Sequence, residues 1–183
     1  MRTFYIISAC FLFACQQPTK SADSKNISNY SDNKSLQTNF QKDEFDTIAA
    51  KDWLEKAIIE HFDGTNSDMK EITTPEYYEF KMDAMNVDLD TEESLTKDEF
   101  KKKWQKIYKP NVHPLHIGFL ISGQDWGNIS VQESIVKNVD KTNKTIIFRT
   151  VIRDDEFRIS YNRDIVIIQN EQQYLIADVW EYD

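Results

Sequence analysis

The hydrophobic pattern of this chain changes at Pro114 from helical spacing to strand-like alternation, and this change restricts its fold more than any other feature. Before Pro114, apolar residues recur three and four positions apart, as on one face of an α-helix. After it, short segments rich in β-branched and aromatic residues are separated by turn residues, which is typical of antiparallel hairpins. Helices followed by strands predict an α+β domain with the helices on one face of an antiparallel sheet.

Two helices are predicted from stripes and end signals. The first spans about residues 43–62, and its apolar stripe ends with His61. Gly64 then provides a stop, because glycine takes the left-handed conformation that ends many helices. The second begins after Thr74, with Pro75 at the first helical position, where its missing N–H would have no partner anyway. Its apolar residues are Tyr77, Tyr78, Phe80, Met82 and Met85.

A third helix is predicted from a capping box in which Thr96 and Glu99 each satisfy an unpaired backbone amide. Its apolar stripe comprises Phe100, Trp104, Ile107 and Tyr108. The preceding segment, residues 88–99 from Asp88 to Glu99, has acidic or hydroxyl side chains at the spacing of an EF-hand calcium loop. Glu93, however, stands where that loop needs glycine. An acidic linker between helices is the better interpretation, and calcium binding stays an open question.

Four strands are predicted after Pro114, at about residues 130–139, 145–153, 157–169 and 174–180. The apolar run at residues 115–121 is a candidate for a further strand, so the predicted sheet has four to five strands. Within the segment 130–139, alternation assigns Ser134 to the same face as Ser130. Ile135 is assigned to the opposite face together with Val131.

The N-terminal segment has the pattern of an export signal. Arg2 precedes an apolar run at residues 4–13, which is too short for a membrane span of ~20 residues. Leu12, Ala14 and Cys15 follow the pattern that resembles the lipobox of bacterial lipoproteins. The resemblance implies that Cys15 receives a diacylglycerol group, becomes the N-terminus after cleavage and anchors the protein through acyl chains. An ordinary signal peptide with a chance cysteine is the alternative.

Cleavage at Cys15 divides the chain into a signal peptide at residues 1–14, a flexible tether at 15–41 and an α+β domain at 42–183. The tether is rich in Ser, Asn, Lys and Asp and has too few apolar residues to fold. The chain has two cysteines, and Cys10 lies in the signal peptide. The domain is therefore predicted to rest on its hydrophobic core without a disulfide. The predicted location is the periplasmic face of the outer membrane.

The charge balance excludes one class of partner. The net charge is −9, whereas binding to a phosphate backbone requires clustered lysine and arginine. The basic run at residues 101–103 lies between apolar residues at helical spacing, which indicates a solvated helix face. We therefore expect no nucleic-acid partner. The expected partners are the membrane, through Cys15, and either a protein or a small apolar ligand.

Three short segments carry a resemblance to a known fold. Residues 72–76 enter the second helix, residues 119–126 surround a Gln-Asp-Trp turn, and residues 174–179 form the last strand. Together they resemble small bacterial lipoproteins of unknown function with a nuclear transport factor 2-like (cystatin-like) domain. The resemblance implies three N-terminal helices on a curved antiparallel sheet of four to five strands, with a pocket between them. That fold carries enzymes, binding modules and interaction partners alike, so it does not decide the function.

A pocket of this kind would draw on six residues of this chain. Enzymes with the fold, such as ketosteroid isomerase, use a pocket carboxylate as the base together with acidic hydroxyl donors. The candidate pocket residues are His61, Asp125, Trp126, Tyr161, Tyr174 and Asp178. Three of them also have an ordinary structural explanation: His61 as a core histidine, Asp125 in an Asx turn, and Asp178 as a solvent-facing or arginine-paired carboxylate. No catalytic residue is assigned.

Metal ions and cofactors receive little support from the sequence. His113 and His116 offer two ligands, but no third ligand is identifiable and the domain has no thiolate. A loop with two surface histidines is the favoured interpretation, and no metal or cofactor is predicted.

The leading functional hypothesis is a membrane-anchored periplasmic domain, with a binding protein favoured over an enzyme. It would bind a small ligand or a protein partner, and immunity to an envelope toxin or inhibition of a hydrolase is one form of this role. The alternative is a small lyase- or isomerase-type enzyme that uses the pocket.

Overall fold

The structure is a computed structural model that describes residues 46–65, 68–171 and 173–182. Within these residues the chain forms an α+β domain with four helices and a four-stranded antiparallel sheet. The helices are α1 (Thr47–Asp63), α2 (Met69–Ile72), α3 (Pro75–Asn86) and α4 (Lys97–Trp104). The strands are β1 (Ile129–Asp140), β2 (Thr145–Asp154), β3 (Ile159–Asn170) and β4 (Gln173–Glu181).

The helix ends follow the local sequence. Gly64 ends α1 in the left-handed conformation, with φ of 73°. Thr74 caps α3 through its side chain, and Pro75 takes the first helical position as predicted. The capping box of Thr96 and Glu99 at the start of α4 is also confirmed. These signals act within a few residues, which is why they can be read without the tertiary structure.

Two helical details differ from the prediction. The short helix α2 was not predicted, because four residues are too few to show a periodic pattern. The helix α4 ends at Trp104, and the chain continues in turns through Ile107. Ile107 is 53% exposed, so its place in the apolar stripe was wrong.

The sheet is a meander with the strand order β1-β2-β3-β4, and every neighbouring pair is antiparallel. The four predicted strands are all present. Residues 115–121 form no strand and instead run as an irregular segment. Leu120 in this segment is fully buried and has a φ of 69°, and its carbonyl accepts a hydrogen bond from Arg163 Nε at 2.9 Å. The buried Leu120 carbonyl is therefore satisfied by an arginine side chain rather than by a neighbouring strand.

The predicted faces of β1 were wrong. Ser134 is buried, whereas Ile135 is 51% exposed. The cause is a register shift between Val131 and Glu133, where one extra residue in β1 reverses the alternation that follows. Simple alternation could not show a bulge, because the bulge depends on how β1 pairs with β2.

The helices pack on one face of the sheet, which we call the covered face. Its register rows include Phe148, Ile165 and Val179, which are all fully buried. Leu54 and Ile58 of α1 belong to the same core cluster, as do Tyr77, Phe80 and Ala84 of α3. The hydrophobic face of each element is thus buried against another element, as an α+β domain requires.

The opposite face, which we call the open face, carries a cluster of polar and aromatic side chains. Asp164 lies at its centre and is fully buried. Arg149 Nε donates to Asp164 Oδ1 at 3.0 Å, the Tyr182 hydroxyl donates to Oδ2 at 2.7 Å, and Lys137 forms an ion pair with the same carboxylate. Burial by itself would raise the pKa of Asp164, but hydrogen bonds from these three donors outweigh it and lower the pKa.

Several predictions concern residues outside this description. Cys15, the signal peptide at residues 1–14 and the tether at residues 15–41 lie outside the described residues. Among the described helices, none combines the length and apolar character needed to cross a bilayer. The predicted lipid anchor therefore stays a prediction.

Candidate functional site

A cleft lined by aromatic side chains lies between α3, α4 and the segment that follows α4. Its volume is about 380 Å³. We call it the aromatic cleft, and its apolar walls are Phe80, Phe100, Trp104, Tyr108, Pro110, Pro114 and Leu115. Lys97, Asp98 and Lys101 also line it. The cleft thus combines an apolar interior with charged side chains from α4.

The aromatic walls hold one another in place. Tyr108 stacks on Phe80 with ring centroids 3.7 Å apart and an interplanar angle of 16°. Trp104 meets Phe80 edge-on at 5.6 Å, and Phe100 packs on the same ring at 5.8 Å. The Trp104 indole N–H donates to Asp83 Oδ2 at 2.8 Å, which fixes its orientation. Aromatic pairs of this kind contribute about 0.5–1.5 kcal/mol each beyond area burial, so the cleft is preformed.

His113 lines the inner wall of the cleft and pairs with Asp178, which lies outside the cleft. His113 Nε2 lies 2.7 Å from Asp178 Oδ1, and its Nδ1 lies 2.7 Å from the carbonyl oxygen of Lys109. The imidazole meets the rings of Phe80 and Tyr108 edge-on. His113 is only 8% exposed, so the predicted surface position of this histidine was wrong. His116, in contrast, is exposed as predicted.

The pair is well suited to joining two parts of the chain. Asp178 Oδ1 also accepts the N–H of Val179 at 2.8 Å, and Oδ2 accepts the indole N–H of Trp180 at 2.6 Å. Both ring nitrogens of His113 therefore lie within hydrogen-bond distance of a protein oxygen, one on the main chain and one on Asp178. Because each polar atom of the pair has a protein partner, its geometry fits an anchor for the cleft wall better than a free general base.

The same pair separates the aromatic cleft from a second space. His113 and Asp178 both line a cavity of about 280 Å³, together with Trp180, Tyr182 and Ile107. The histidine thus contacts both spaces at once. A ligand in either space would lie next to His113, whose hydrogen bond to Asp178 joins this segment to β4.

Buried polar groups lie behind the cleft on the covered face. The Tyr77 hydroxyl and Glu181 Oε2 have no hydrogen-bond partner among the described residues. Burial, and then the negative charges of Asp178 and Glu181, raise the pKa of Tyr77 well above its ordinary value. Burial likewise raises the pKa of Tyr108, with a smaller contribution from Asp178. Both phenols are therefore neutral at physiological pH.

A third space, with a volume of about 510 Å³, lies between the end of α1, the outer side of α3 and residues 116–126. We call it the methionine cavity, and the lining side chains used below are His61, Met69, Met82, Met85, His116 and Trp126. The predicted stripe of α3 thus divides between two surroundings. Tyr77 and Phe80 are buried in the core, whereas Tyr78, Met82 and Met85 are half-buried and line this cavity.

The six predicted pocket residues do not form one pocket. His61 and Trp126 share the methionine cavity, and Asp178 lines the cavity beside His113. Asp125 is exposed, and it is not among the residues that line the three cavities. The other two residues are aromatic. Tyr161 is buried on the covered face with Arg163 over its ring, and Tyr174 packs on Trp53 while its hydroxyl donates to the carbonyl of Asp46.

Sequence reasoning missed the aromatic cleft as a unit. Phe100, Trp104 and Tyr108 were recognised as a helical stripe, but a stripe predicts burial and does not predict a space beside it. The partner of His113 is 65 residues away along the chain, on β4. No local pattern announces that pairing.

The acidic segment before α4 is organised by its own side chains. Glu99 Oε2 accepts hydrogen bonds from the N–H and the hydroxyl of Thr96, and Asp88 Oδ1 accepts the N–H of Lys97. The hydrogen bonds from Thr96 lower the pKa of Glu99. Across the part of the chain that the structure describes, no three or more His, Cys, Asp or Glu side chains are grouped so that they could hold a metal ion.

Comparison of the chain with protein-family models, with curated protein sequences and with solved structures gives no significant match. The functional argument therefore rests on the geometry of the described residues. The resemblance to lipoproteins with a nuclear transport factor 2-like domain stays a prediction.

Proposed function

We propose that this protein is a lipid-anchored envelope protein whose α+β domain binds a small apolar ligand in the aromatic cleft. The observation that supports this proposal is a preformed cleft of about 380 Å³ whose walls are rings of α3 and α4. Small-molecule sites are typically apolar concavities of about 300–1,000 Å³ with a few polar groups. The cleft meets both conditions.

The walls indicate the chemistry of the ligand. The stacked rings of Phe80 and Tyr108 and the edge of Trp104 favour a flat apolar body, because aromatic rings pack well on planar groups. Lys97, Asp98 and Lys101 are exposed, so a polar end of the ligand can remain in contact with solvent. His113 is the polar side chain on the inner wall, and its hydrogen bonds hold it in place.

The fold proposal is the nuclear transport factor 2-like arrangement. Two observations support it: the helices precede the meander along the chain, and they pack on one face of it. The register shifts in β1 and between β3 and β4 also bend strands in the way that a curved sheet requires. A ligand in the aromatic cleft, between α3, α4 and the segment that follows α4, is compatible with this arrangement.

The alternative of a small pocket enzyme receives weaker support. It requires a base with a lone pair directed at the ligand. The best candidate, the His113–Asp178 pair, has protein partners at both ring nitrogens and both carboxylate oxygens. We therefore favour binding over catalysis.

Fluorescence titration with anilinonaphthalene sulfonate, a flat apolar probe with an anionic group, tests the binding proposal. Leu115 is half-buried at the cleft, and Leu115→Trp should fill the space and weaken probe binding about tenfold, equivalent to about 1.4 kcal/mol. Ile48→Trp, at a position 72% exposed on α1, is the control and should leave the affinity unchanged. Equal probe affinity in wild type and Leu115→Trp would contradict the proposal.

Cell fractionation tests the anchor separately. Cys15→Ala should move the protein from the membrane fraction to the soluble fraction, because the acyl chains provide the membrane affinity. Cys10→Ala is the matched control and should remain with the membrane. A Cys15→Ala protein that stays in the membrane fraction would show that the lipobox interpretation is wrong.

A further inference from the structure

Every methionine among the described residues lines the methionine cavity. The chain has four methionines, one of which is its first residue, and the other three are Met69, Met82 and Met85. Two of its three histidines, His61 and His116, line the same space. The aromatic cleft, in contrast, has no methionine in its walls. This concentration of thioether and imidazole groups calls for a chemical explanation.

The backbone positions these groups from three directions. Met82 and Met85 are three residues apart on α3 and so lie on the same side of that helix, while Met69 approaches from α2. The N–H of His116 donates to the carbonyl of Ala84 at 3.0 Å, which holds that histidine beside the last turn of α3. His116 takes a left-handed φ of 61° there.

The opposite side of the cavity is built around the end of α1. The His61 ring meets the rings of Phe62 and Phe119 edge-on. The Trp126 indole N–H donates to the carbonyl of Phe62 at 3.2 Å, and Trp126 is 46% exposed. The indole is thereby held close to the backbone beside His61, at the solvent side of the cavity.

Thioether sulfur is a soft ligand that binds Cu(I) and similar cations, and imidazole binds copper as well. Hard cations such as Mg²⁺ and Ca²⁺ prefer oxygen ligands instead. We propose that the methionine cavity binds Cu(I) through thioethers of Met69, Met82 and Met85 together with an imidazole from His61 or His116. The indole of Trp126 can shield the bound cation through its π face. The net charge of −9 favours the approach of a cation.

The first experiment uses Ag(I), a redox-inert soft cation. The full chain carries Cys10→Ser and Cys15→Ser, which removes both thiols of the sequence. With ¹³C-labelled methionine methyl groups, Ag(I) should shift the signals of Met69, Met82 and Met85 and reach saturation at one equivalent. Zn²⁺ should leave these signals in place, because thioethers bind it poorly. Methionine signals that do not move with Ag(I) would overturn the proposal.

The second experiment removes the sulfurs and keeps the shape. Met82→Leu/Met85→Leu conserves volume and apolarity. Cu(I) affinity, measured by competition with bicinchoninate, should fall by about tenfold or more. Mutation of residues that only support the metal ligands already lowers metal affinity by about 10–100-fold, and here two ligands themselves are removed. Met85→Leu alone should show a smaller loss and serves if the double variant does not fold.

Ile59→Leu, on the exposed side of α1, is the control and should bind as wild type does. Wild-type affinity in Met82→Leu/Met85→Leu would overturn the proposal. None of the proposed ligands lines the aromatic cleft, so this result is independent of apolar-ligand binding there.

Discussion

The two faces of the sheet offset the cost of a buried charge in different ways. The covered face pairs Lys81 with Glu181, and the open face surrounds Asp164 with hydrogen-bond donors. Lys81 and Glu181 have side chains only 3% and 2% exposed, and Glu181 Oε2 has no hydrogen-bond partner among the described residues. The Asp164 side chain is fully buried, but its partners Lys137 and Arg149 are 42% and 51% exposed. The first is a sealed pair, and the second is a buried anion under solvated cations.

The pKa directions show what this difference means. Burial lowers the pKa of Lys81, and the charge of Glu181 opposes that effect only in part. For Asp164, burial would raise the pKa, but the hydrogen bonds from Arg149, Lys137 and Tyr182 prevail and lower it. The sealed pair therefore depends on both members. The open-face cluster has several donors and tolerates the loss of one.

The largest loss of stability is expected when one member of the sealed pair is removed. Glu181→Leu should lower the free energy of unfolding by about 3–5 kcal/mol, because it leaves the Lys81 ammonium buried without a counter-ion. The double variant Lys81→Met/Glu181→Leu should recover most of that loss. Urea-induced unfolding of both variants measures the difference. A double variant as unstable as Glu181→Leu would show that packing, rather than the unpaired charge, sets the cost.

A smaller effect is expected from Asp164→Asn. The substitution preserves shape but weakens charge-assisted hydrogen bonds from Arg149, Lys137 and Tyr182, which are worth about 1.5–3 kcal/mol each in favourable cases. Since the cations remain solvated, we expect a total loss of about 2 kcal/mol. Urea-induced unfolding at neutral pH measures it. A loss as large as that of Glu181→Leu would remove the distinction between the two faces.

The pH dependence of stability tests the contribution of Asp164 on the open face. Because the folded pKa of Asp164 is lowered, its contribution to stability is complete above the ordinary value of 3.8 and is lost as the pH falls through the folded pKa. Wild type should therefore lose more stability than Asp164→Asn as the pH falls below 3.8. Thermal unfolding of the two proteins from neutral to acidic pH tests this. Parallel stability curves would contradict the assigned pKa direction.

The smallest effect is expected from Lys137→Ala. Lys137 is 42% exposed, and Arg149 and Tyr182 continue to donate to Asp164 after its removal. Exposed ion pairs contribute about 0–1 kcal/mol, so the free energy of unfolding should change by less than about 1 kcal/mol. The same urea titration detects the change. A larger loss would mean that the open-face cluster acts as a single unit rather than as redundant contacts.

Much of the secondary structure was predictable because its signals are local. Thr96 and Glu99 form their capping box within one turn, and Gly64 ends α1 through its own backbone conformation. The four strands follow from β-branched runs separated by short turns. The predicted faces of Ser134 and Ile135 were wrong because the bulge in β1 is defined only by its pairing with β2.

The candidate sites were less predictable because they join distant segments. The cleft wall requires His113 to meet Asp178, and the methionine cavity requires α1, α2, α3 and the 116–126 segment to converge. Of the six predicted pocket residues, His61 and Trp126 line the same cavity, whereas Tyr174 packs near the start of α1. A type of residue can be recognised in isolation, but its neighbours cannot.

The sequence alone determined the α+β class, the main helix ends and the four strands, because capping, hydrophobic periodicity and β-propensity act over a few residues. The tertiary structure decided which charges are sealed and which are solvated, which face of β1 is buried, and where the cavities lie. Those outcomes depend on contacts between residues far apart in the chain. Their free energy comes from burial and pairing that exist only once the helices pack on the sheet.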